Sequence, residues 1–492
     1  MNTWKTAGCF CGAALFALSV LAETADIPDN AFGFVRPGPG TAVVLVDPAK
    51  ELGPIRPVNG VNNGPIRSRN DQCFGTFEHF RNARIPSARP HDSVFCAGYG
   101  GSHTIDISSI FPDFDADEND PRNYDFHWTD DYLASIVAAG TEVYYRLGQS
   151  IEHGGKKYHI WPPKDFHKWA RVCEHLIRHV NEGWGNGTRL GVRHWEIWNE
   201  ADNNPTNNPT CWGGTDEQFF EFFAIAARHL KGAFPTLRIG GPAVGWNEKW
   251  AERFLAYSQA HGVPLDFFSW HGYARDPRKV GERARRMRTL MDRYGYDRAE
   301  SHMTEWNYVK GWSDEWVYSM RAISGDLAEI GSAYAAATLI ELQDSGVDLA
   351  HYYDARPGTS MNGLFDFITG RPLKGYYPFY AWSRLRDLGT QVAARAKSPD
   401  GDVSVVAAAN PNGETGVLIT RFVGDGRSCA PIVVKLRFTD GTASAVGHLT
   451  DYASLYTEFP LVPDGDGTLS FRMEPNSFAM ITAGIRHPLP GK

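Results

Sequence analysis

Short apolar runs alternate with amphipathic stretches between about residue 55 and residue 385. Each apolar run is predicted to be a buried strand, and the runs cover residues 57–62, 83–88, 141–147, 194–199, 237–241, 266–271, 302–305 and 349–354. Apolar residues recur at helical spacing between them, for example in 165–182, 216–233, 250–261 and 280–294. Strands that alternate with helices in this way predict an α/β fold, a (β/α)8 TIM barrel. A doubly wound open sheet is the alternative, but no G-x-G-x-x-G follows the first strand.

The pattern changes after about residue 390, where β-rich runs are separated by Gly, Pro, Asn and Asp. These runs cover residues 403–408, 415–422, 432–438, 443–449 and 477–482. They predict an accessory C-terminal β-sandwich. Residues 41–46 also have strand character and are expected to join that sandwich. The expected division is therefore 23–55 as an N-terminal segment of the sandwich, 56–388 as the barrel and 389–492 as the sandwich.

The first 22 residues have the pattern of an export signal. Lys5 supplies a positive charge, residues 7–22 are almost wholly apolar, and the small residues Val20 and Ala22 predict cleavage after Ala22. An uncleaved anchor is the alternative. We therefore expect a secreted or periplasmic protein that has no membrane span after signal removal.

Five of the seven cysteines lie beyond the signal: Cys73, Cys96, Cys173, Cys211 and Cys429. An odd number allows two disulfides at most, and Cys73 and Cys96, which flank one predicted strand, are one candidate pair. No two of these cysteines have zinc-ligand spacing. We expect neither a metal nor a cofactor.

Composition narrows the class of partner. The net charge of −8 argues against nucleic acid. Aromatic residues make up 13% of the chain. Their faces stack on sugar rings, although Trp and Tyr are also common in cores. The composition therefore favours an oligosaccharide or polysaccharide as substrate, and it leaves the oligomeric state open.

Two carboxylates end predicted strands. Glu200 follows the fourth strand in the motif His-Trp-Glu-Ile-Trp-Asn-Glu, and Glu305 closes the seventh. Because active sites of barrels lie at the carboxyl ends of the strands, both are expected on one face. Two such carboxyl groups are what hydrolysis of a glycosidic bond requires. Helix-cap or surface glutamates are the alternative.

Several other polar residues are expected on the same face. The amide of Asn199 is placed to bond a substrate hydroxyl next to the anomeric carbon, where such bonds tighten in the transition state. His271 and Tyr273 follow the sixth strand, and Asp354 follows the eighth.

Ordered motifs add a family resemblance. They are Val-Asn-Gly at 58–60, ISSIFPDFD at 107–115, Trp-Glu-Ile-Trp-Asn-Glu at 195–200, Phe-Ser-Trp-His-Gly-Tyr at 268–273, Thr-Glu-Trp-Asn at 304–307, and Asn-Gly-Leu at 362–364 with Gly370. In these motifs the chain resembles clan A glycoside hydrolases, specifically family 39, which includes β-xylosidases and α-L-iduronidases.

The resemblance implies a retaining glycosidase with the TIM-barrel fold. Glu200 would be the acid/base and Glu305 the nucleophile. His271 matches a family active-site histidine, and Tyr273 would bond near the nucleophile or the sugar. The remaining candidate sugar contacts are Trp306, Asp354, His91 and Asp92.

The chain also departs from the family pattern. Ala201 stands where most relatives have proline, and a polar insert at 202–214 follows and is expected to shape the pocket rim. Tyr273 stands where iduronidases have a lysine that meets a uronate, which favours a neutral sugar unless Arg356 or Arg371 substitutes. A neutral pentoside, β-xyloside before α-L-arabinofuranoside, is the expected substrate of an exo-acting enzyme. An endo-acting enzyme and a non-catalytic carbohydrate-binding protein are the alternatives.

Overall fold

The computed structural model describes residues 38–65, 75–92, 103–203, 208–425, 429–442 and 444–484. The predicted signal segment, the candidate pair Cys73 and Cys96, and residues 204–207 of the polar insert lie outside the described residues. The other cysteines, Cys173, Cys211 and Cys429, are free thiols. Among the described residues, no helix has the length and apolar character needed to cross a membrane.

The described residues form strands, α-helices and three short 3-10 helices. The strands are β1 (Thr41–Pro54), β2 (Gly60–Asn62), β3 (Ser87–Arg89), β4 (Glu142–Leu147), β5 (His194–Ile197), β6 (Arg238–Val244), β7 (Phe267–Ala274), β8 (Glu300–Tyr308), β9 (Leu349–Tyr352), β10 (Thr390–Lys397), β11 (Val403–Ala409), β12 (Thr415–Arg421), β13 (Ile432–Phe438), β14 (Ala445–Thr450), β15 (Thr457–Leu461), β16 (Leu469–Met473) and β17 (Ser477–Ala483). The helices are α1 (Phe77–Asn82), α2 (Ile107–Ile110), α3 (His127–Ala138), α4 (Phe166–Asn181), α5 (Asp216–Ala233), α6 (Glu248–Ala260), α7 (Pro277–Arg293), α8 (Trp316–Ser324), α9 (Ala328–Gln343) and α10 (Tyr377–Leu388). The 3-10 helices are Pro121–Asn123, Trp184–Asn186 and Lys374–Tyr376.

Strands β2 to β9 form a closed parallel barrel in chain order. Closure is made by β2, which pairs with β3 through Val61 and Ala88 and with β9 through Gly60 and His351. The predicted barrel is confirmed, and each predicted strand overlaps an observed one. The second strand was predicted too early: it was expected at 83–88 but lies at Ser87–Arg89, because residues 83–86 follow the short helix α1 as a loop. The strands are buried on both faces, as helices outside and side chains inside require.

Local signals explain where the helices begin. Asp165 caps α4 by accepting a hydrogen bond from the Lys168 amide. Thr215 and Gln218 form a capping box at the start of α5, in which each side chain bonds the other residue's backbone. The apolar side of α4 is then buried against the barrel, because Trp169, Val172 and Leu176 recur at helical spacing.

A register shift in β8 decides which of its side chains enter the barrel. Trp270 of β7 pairs with Met303, but the next residue, His271, pairs with Glu305. Thr304 is the extra residue of this bulge. A bulge interrupts the alternation of faces, so Glu305 is presented beside His271 instead of on the opposite face.

The remaining strands form one sheet in the order β15-β14-β17-β12-β11-β10-β1-β13-β16. The predicted strand at 41–46 is part of β1, which lies between β10 and β13. The two edge strands, β15 and β16, lie close together, as the 5.5 Å between the rings of Phe459 and Phe471 shows. The sheet therefore curls around its own apolar core, which includes Val44, Val434 and Ile481. The boundaries at 55/56 and 388/389 remain predictions.

Candidate active site

The two candidate carboxylates meet at the carboxyl ends of the barrel strands. Glu200 lies three residues beyond β5, and Glu305 lies within β8. One carboxylate oxygen of each, together with Nδ1 of His271, lie within 4.8 Å of one another. An approach of this kind is compatible with the roughly 5–5.5 Å between the carboxyl groups of retaining glycosidases and with neither group being remote from the other.

The backbone around Glu200 is held in an unusual conformation. Trp198 and Glu200 have φ values of 71° and 45°, in the left-handed region that non-glycine residues seldom adopt. The Trp198 amide donates to the Leu147 carbonyl at 2.7 Å, and the Glu200 amide donates to the Ala243 carbonyl at 3.0 Å. The neighbouring strands thus hold the strained turn, as is common at functional sites.

Asp202, the first residue of the polar insert, anchors this turn to the next loop. Its carboxylate accepts hydrogen bonds from the amides of Gly245, Trp246 and Asn247 at 2.7 to 3.0 Å. Later in the insert, the Cys211 carbonyl accepts from the indole of Trp198 at 2.9 Å. The described parts of the insert therefore support the acid/base loop, while residues 204–207 lie outside the described structure.

Glu305 accepts strong hydrogen bonds on both carboxylate oxygens. Arg89 donates from Nη1 to Oε1 at 2.8 Å, and the Tyr273 hydroxyl donates to Oε2 at 2.6 Å. His91 Nε2 lies 3.4 Å from Oε1. A charged donor and a hydroxyl on one carboxylate favour its ionised form.

Arg89 is the centre of a buried network. It is completely buried, and besides Glu305 it donates to Glu196 at 2.6 Å, to Asn62 at 2.9 Å and to Asn199 at 2.8 Å. Two carboxylates surround one guanidinium, which compensates for the cost of burying the charges. The Oδ1 atom of Asn199 is occupied by Arg89, so its Nδ2 is the group available to a substrate.

Glu200 lies in a different environment. Its Oε2 accepts from the Asn203 amide at 3.1 Å, and its Oε1 lies 2.7 Å from His271 Nδ1. Burial raises the pKa of Glu200, and the neutral amide of Asn203 opposes that only in part. Burial also raises the pKa of Glu305, but His271, Arg89 and the Tyr273 hydroxyl oppose it. Because only Glu305 contacts a guanidinium, we expect it to ionise first.

Two histidines in the site are neutral at pH 7. Burial lowers the pKa of His271 to about 4. Burial, reinforced by Arg89, holds the pKa of His91 well below its usual range. Nδ1 of His91 accepts from Arg146 at 3.1 Å, so its proton is on Nε2, which faces Glu305 and Asp92.

Asp92 and Asp354 are two buried acidic residues that follow β3 and β9. The Tyr353 hydroxyl donates to Asp92 Oδ2 at 2.7 Å, and Asp354 accepts from the Arg356 amide at 2.7 Å. Burial raises the pKa of Asp354 to about 6, and the nearby charge of Asp92 contributes. Among the described residues, one oxygen of each carboxylate has no hydrogen-bond partner. These atoms are suited to accept from sugar hydroxyls.

Trp306 is the one candidate that the structure places elsewhere, and its prediction as a sugar contact is wrong. Its side chain is completely buried, stacks on Phe379 of α10 and contacts Tyr352. It follows Glu305 directly in β8, and adjacent strand residues point to opposite faces. Since Glu305 faces the pocket, Trp306 faces the helices.

The sequence interpretation missed Arg89, Glu196, Asn62 and Asp202. Arg89 directly follows the predicted strand 83–88, at the end that faces the pocket. Glu196 lies within the very motif that marked Glu200, and a carboxylate in a buried strand requires a cation. These two signals were available, but nothing in the sequence indicated that they pair.

Within the described part of the chain, two groups of residues have spacing compatible with a metal ion: Glu200 with His271 and Glu305, and His194 with Glu300 and His302. In the first, Arg89 and Tyr273 already donate to Glu305. In the second, Arg238 lies 2.6 Å from Glu300. A neighbouring guanidinium opposes a bound cation in both places. The expectation of a metal-free site remains a prediction.

Comparisons with known proteins agree with this geometry. Residues 103–313 match the model of the glycosyl hydrolases family 39. A β-xylosidase of Caldicellulosiruptor saccharolyticus is 31% identical over 147 residues, which are 30% of this chain and 27% of that protein. A β-xylosidase of Geobacillus stearothermophilus is 25% identical over 232 residues, 41% of this chain and 44% of that protein. The aligned parts thus span less than half the length of either relative.

A solved structure of a glucosidase from Croceicoccus marinus has the same fold. It superimposes with a TM-score of 0.72 at 21% identity, over 90% of this chain and 98% of that one. The family-model match places residues 103–313 among sequences similar to the glycosyl hydrolases of family 39, and the barrel whose strands present Glu200 and Glu305 supports that similarity.

Proposed function

We propose that this protein is a retaining, exo-acting glycoside hydrolase that removes a neutral pentose from plant-type oligosaccharides or polysaccharides. One observation carries the proposal: an oxygen of the half-buried Glu200 and an oxygen of the buried Glu305 lie within 4.8 Å, and the hydrogen-bond partners of the two carboxylates differ in charge. A retaining mechanism needs such a pair, one ionised as nucleophile and one protonated as acid.

Glu305 is the nucleophile in this proposal. Arg89 and Tyr273 stabilise its carboxylate and leave it oriented toward the anomeric carbon. When Glu305 attacks, the bond between its oxygen and the sugar forms as the bond to the leaving group breaks. The negative charge of Glu305 is neutralised in that step. Hydrogen bonds from Arg89 and Tyr273 that stabilised the carboxylate too strongly would therefore raise the barrier to attack.

Glu200 is the general acid and then the base. His271 is neutral, and donation from its Nδ1 to Oε1 leaves the acidic proton of Glu200 on Oε2. Protonation of the leaving oxygen makes Glu200 ionised, and it then removes a proton from the water that releases the sugar from Glu305. The nearby Glu305 charge raises the proton affinity of Glu200 before the first step.

The remaining polar groups position the sugar. Nδ2 of Asn199 is placed to donate to the hydroxyl next to the anomeric carbon. Asp92 Oδ1 and Asp354 Oδ2, which make no hydrogen bond among the described residues, accept from other hydroxyls, although Asp354 Oδ2 also lies 3.6 Å from Arg356. His91 lies between Asp92 and Glu305. Hydrogen bonds that strengthen as the ring flattens lower the barrier selectively.

Several observations support a neutral glycone. Tyr273 stands where iduronidases have the lysine that meets a uronate, and its hydroxyl donates to Glu305 instead. Arg356 lies 3.6 Å from Asp354. The carboxylate of Asp354 therefore already balances the positive charge of Arg356, which would otherwise attract a uronate. Two acidic side chains in the pocket also repel a substrate carboxylate. The relatives named above are β-xylosidases, and β-xyloside is our first choice, followed by α-L-arabinofuranoside.

A panel of aryl xylosides, arabinofuranosides, glucosides and galactosides tests the proposal, with NMR of the first product anomer. We expect hydrolysis of a pentoside with retention. Glu305→Gly with azide should yield a glycosyl azide of inverted configuration, and Glu200→Ala with azide one of retained configuration. Inversion in the first product would contradict the mechanism, and unchanged rates in both variants would contradict the assigned residues. Preference for an internal bond of a polymer would favour the endo-acting alternative.

We also propose that the protein is exported, because the first 22 residues have the pattern of a signal peptide. Mass spectrometry of the mature protein from its native host should find an N-terminus at Glu23. Recovery of Met1 in the cytoplasmic fraction alone would contradict export.

A further inference from the structure

Two of the most exposed tryptophans lie on loops that follow barrel strands of the candidate site. Trp246 is 65% exposed and follows β6, and Trp312 is 64% exposed and follows β8. Large aromatic side chains left open to water cost free energy and are often retained for binding. Both loops are at the carboxyl ends of barrel strands, the end that holds the site.

Trp246 is linked to Glu200. The preceding residue, Gly245, lies so close to Glu200 that a Cβ built on it would be 2.9 Å from Oε1. Asp202 also bonds the amides of Gly245 and Trp246, so the acid/base loop and the Trp246 loop form one unit. The backbone of Trp246 is therefore held beside Glu200, the proposed proton donor to the leaving group.

Trp312 is linked to Glu305 through Tyr273. Its ring centre lies 5.2 Å from that of Tyr273, whose hydroxyl donates to Glu305. On its other side Trp312 stacks on Trp316, at 5.4 Å with an interplanar angle of 15°. The neighbouring rings hold the exposed indole beside Tyr273, the hydrogen-bond donor to Glu305.

We propose that Trp246 and Trp312 form an aglycone platform that binds a chain of at least two further sugar rings. The glycone side is lined by buried groups such as His91, Asp92 and Asp354. Trp246 and Trp312 are about two-thirds exposed, so we place them outside the buried glycone side. The leaving group of the substrate extends in that direction. Sugar rings present C–H faces that stack on indoles without charge or strict orientation, which suits a repeating neutral polysaccharide.

This inference rests on the proposed function and names its substrate class: an oligosaccharide or polysaccharide, not a short glycoside with a small aglycone. The first test compares kcat/KM for xylo-oligosaccharides of two to five units with kcat/KM for an aryl xyloside. For the wild-type protein, kcat/KM should rise with chain length. Trp246→Ala and Trp312→Ala should each lower the ratio of tetrasaccharide to aryl-xyloside kcat/KM by about two- to tenfold.

Controls separate the platform from general damage. Trp246→Phe and Trp312→Phe keep an aromatic face and should retain most of the ratio. Tyr452, a 67% exposed aromatic residue after β14 in the C-terminal sheet, is the matched control, and Tyr452→Ala should change neither rate. An unchanged ratio in the Trp246→Ala/Trp312→Ala double variant, or no length dependence in the wild type, would overturn the platform.

A binding measurement keeps the platform and the proposed function separable. Xylotetraose is titrated calorimetrically into Glu305→Gln, and into the same variant with both tryptophans replaced by alanine. Weaker binding in the second protein supports the platform, and equal binding overturns it. A wild-type protein that hydrolyses no glycoside would contradict the proposed function, whichever result the titration gives.

Discussion

Arg89 Nη1 lies 2.8 Å from Glu305 Oε1, and Nη2 of the same guanidinium lies 2.8 Å from Asn199 Oδ1. One buried cation therefore orients both the proposed nucleophile and the amide next to the proposed acid. The guanidinium that stabilises the negative charge of Glu305 before attack therefore also determines which atom of Asn199 faces the sugar.

Replacement of Arg89 by lysine should lower kcat/KM about 100-fold. A lysine has three donors on one nitrogen, so it cannot reproduce the four hydrogen bonds that Arg89 makes from three nitrogens to Glu196, Asn62, Glu305 and Asn199. Loss of one positioned donor in an active site has an effect of this size. Steady-state kinetics on the aryl glycoside selected by the panel checks it, with Arg122→Lys as control because Arg122 is 87% exposed and pairs only with Asp120 on the surface. A decrease below threefold would contradict the central role of Arg89.

Tyr273→Phe should lower kcat/KM by about tenfold or more and move the acidic limb of its pH profile to higher pH. The hydroxyl donates to Glu305 and so lowers the pKa of that carboxyl. Without it, Glu305 stays protonated to higher pH, which removes the nucleophile. Tyr308→Phe is a matched control on β8, because the Tyr308 hydroxyl is buried and has no partner among the described residues. Equal pH profiles for the two variants would contradict the assignment.

The pH profile of kcat/KM should be bell-shaped. Its acidic limb reports ionisation of the carboxylate pair to give the nucleophile, and its basic limb reports loss of the acid proton. Because burial raises the pKa of Glu200, activity should extend above the usual carboxyl range before it declines. With an aryl glycoside that has a good leaving group, Glu200→Gln should remove the basic limb. A basic limb that persists in this variant would assign the acid to another group.

Gly245→Ala should lower kcat by about tenfold with little effect on folding. The added Cβ would lie 2.9 Å from Glu200 Oε1, so the carboxyl group must shift away from its position. Displacements below 1 Å at a catalytic group are enough for such losses. Gly232→Ala on the exposed side of α5 is the control, since a Cβ there meets nothing within 4 Å. That control should keep full activity and be more stable by about 0.5–1 kcal/mol.

Asp354→Asn should make the protein more stable above pH 6 than the wild type. Burial raises the pKa of Asp354 from 3.8 to about 6, so the folded state binds this proton more tightly than the unfolded state. The contribution of this group to stability is therefore present below about pH 4 and lost as pH rises to 6, up to about 3 kcal/mol. Asparagine does not titrate. Urea unfolding at pH 4 and pH 7.5 checks the difference, and an equal pH dependence in both proteins would contradict it.

Much of the site followed from strand order. Glu200 was placed after the fourth strand and Glu305 at the seventh, and both strands lie where the apolar runs predicted. His271 and Tyr273 were expected near them for the same reason. What strand order did not indicate was side-chain direction: Trp306 was expected in the pocket, but the alternation on β8 turns it toward Phe379.

The sequence by itself determined the barrel, because helical and strand periodicities are local properties that the chain shows directly. It also determined which carboxylates end strands, and hence which end of the barrel carries the chemistry. Only the tertiary structure decided that Arg89 joins Glu196, Glu305 and Asn199. These residues are separated by 107, 216 and 110 positions from Arg89. Contacts between such distant residues depend on barrel closure and on the bulge at Thr304, which set the direction of each side chain and leave no local pattern.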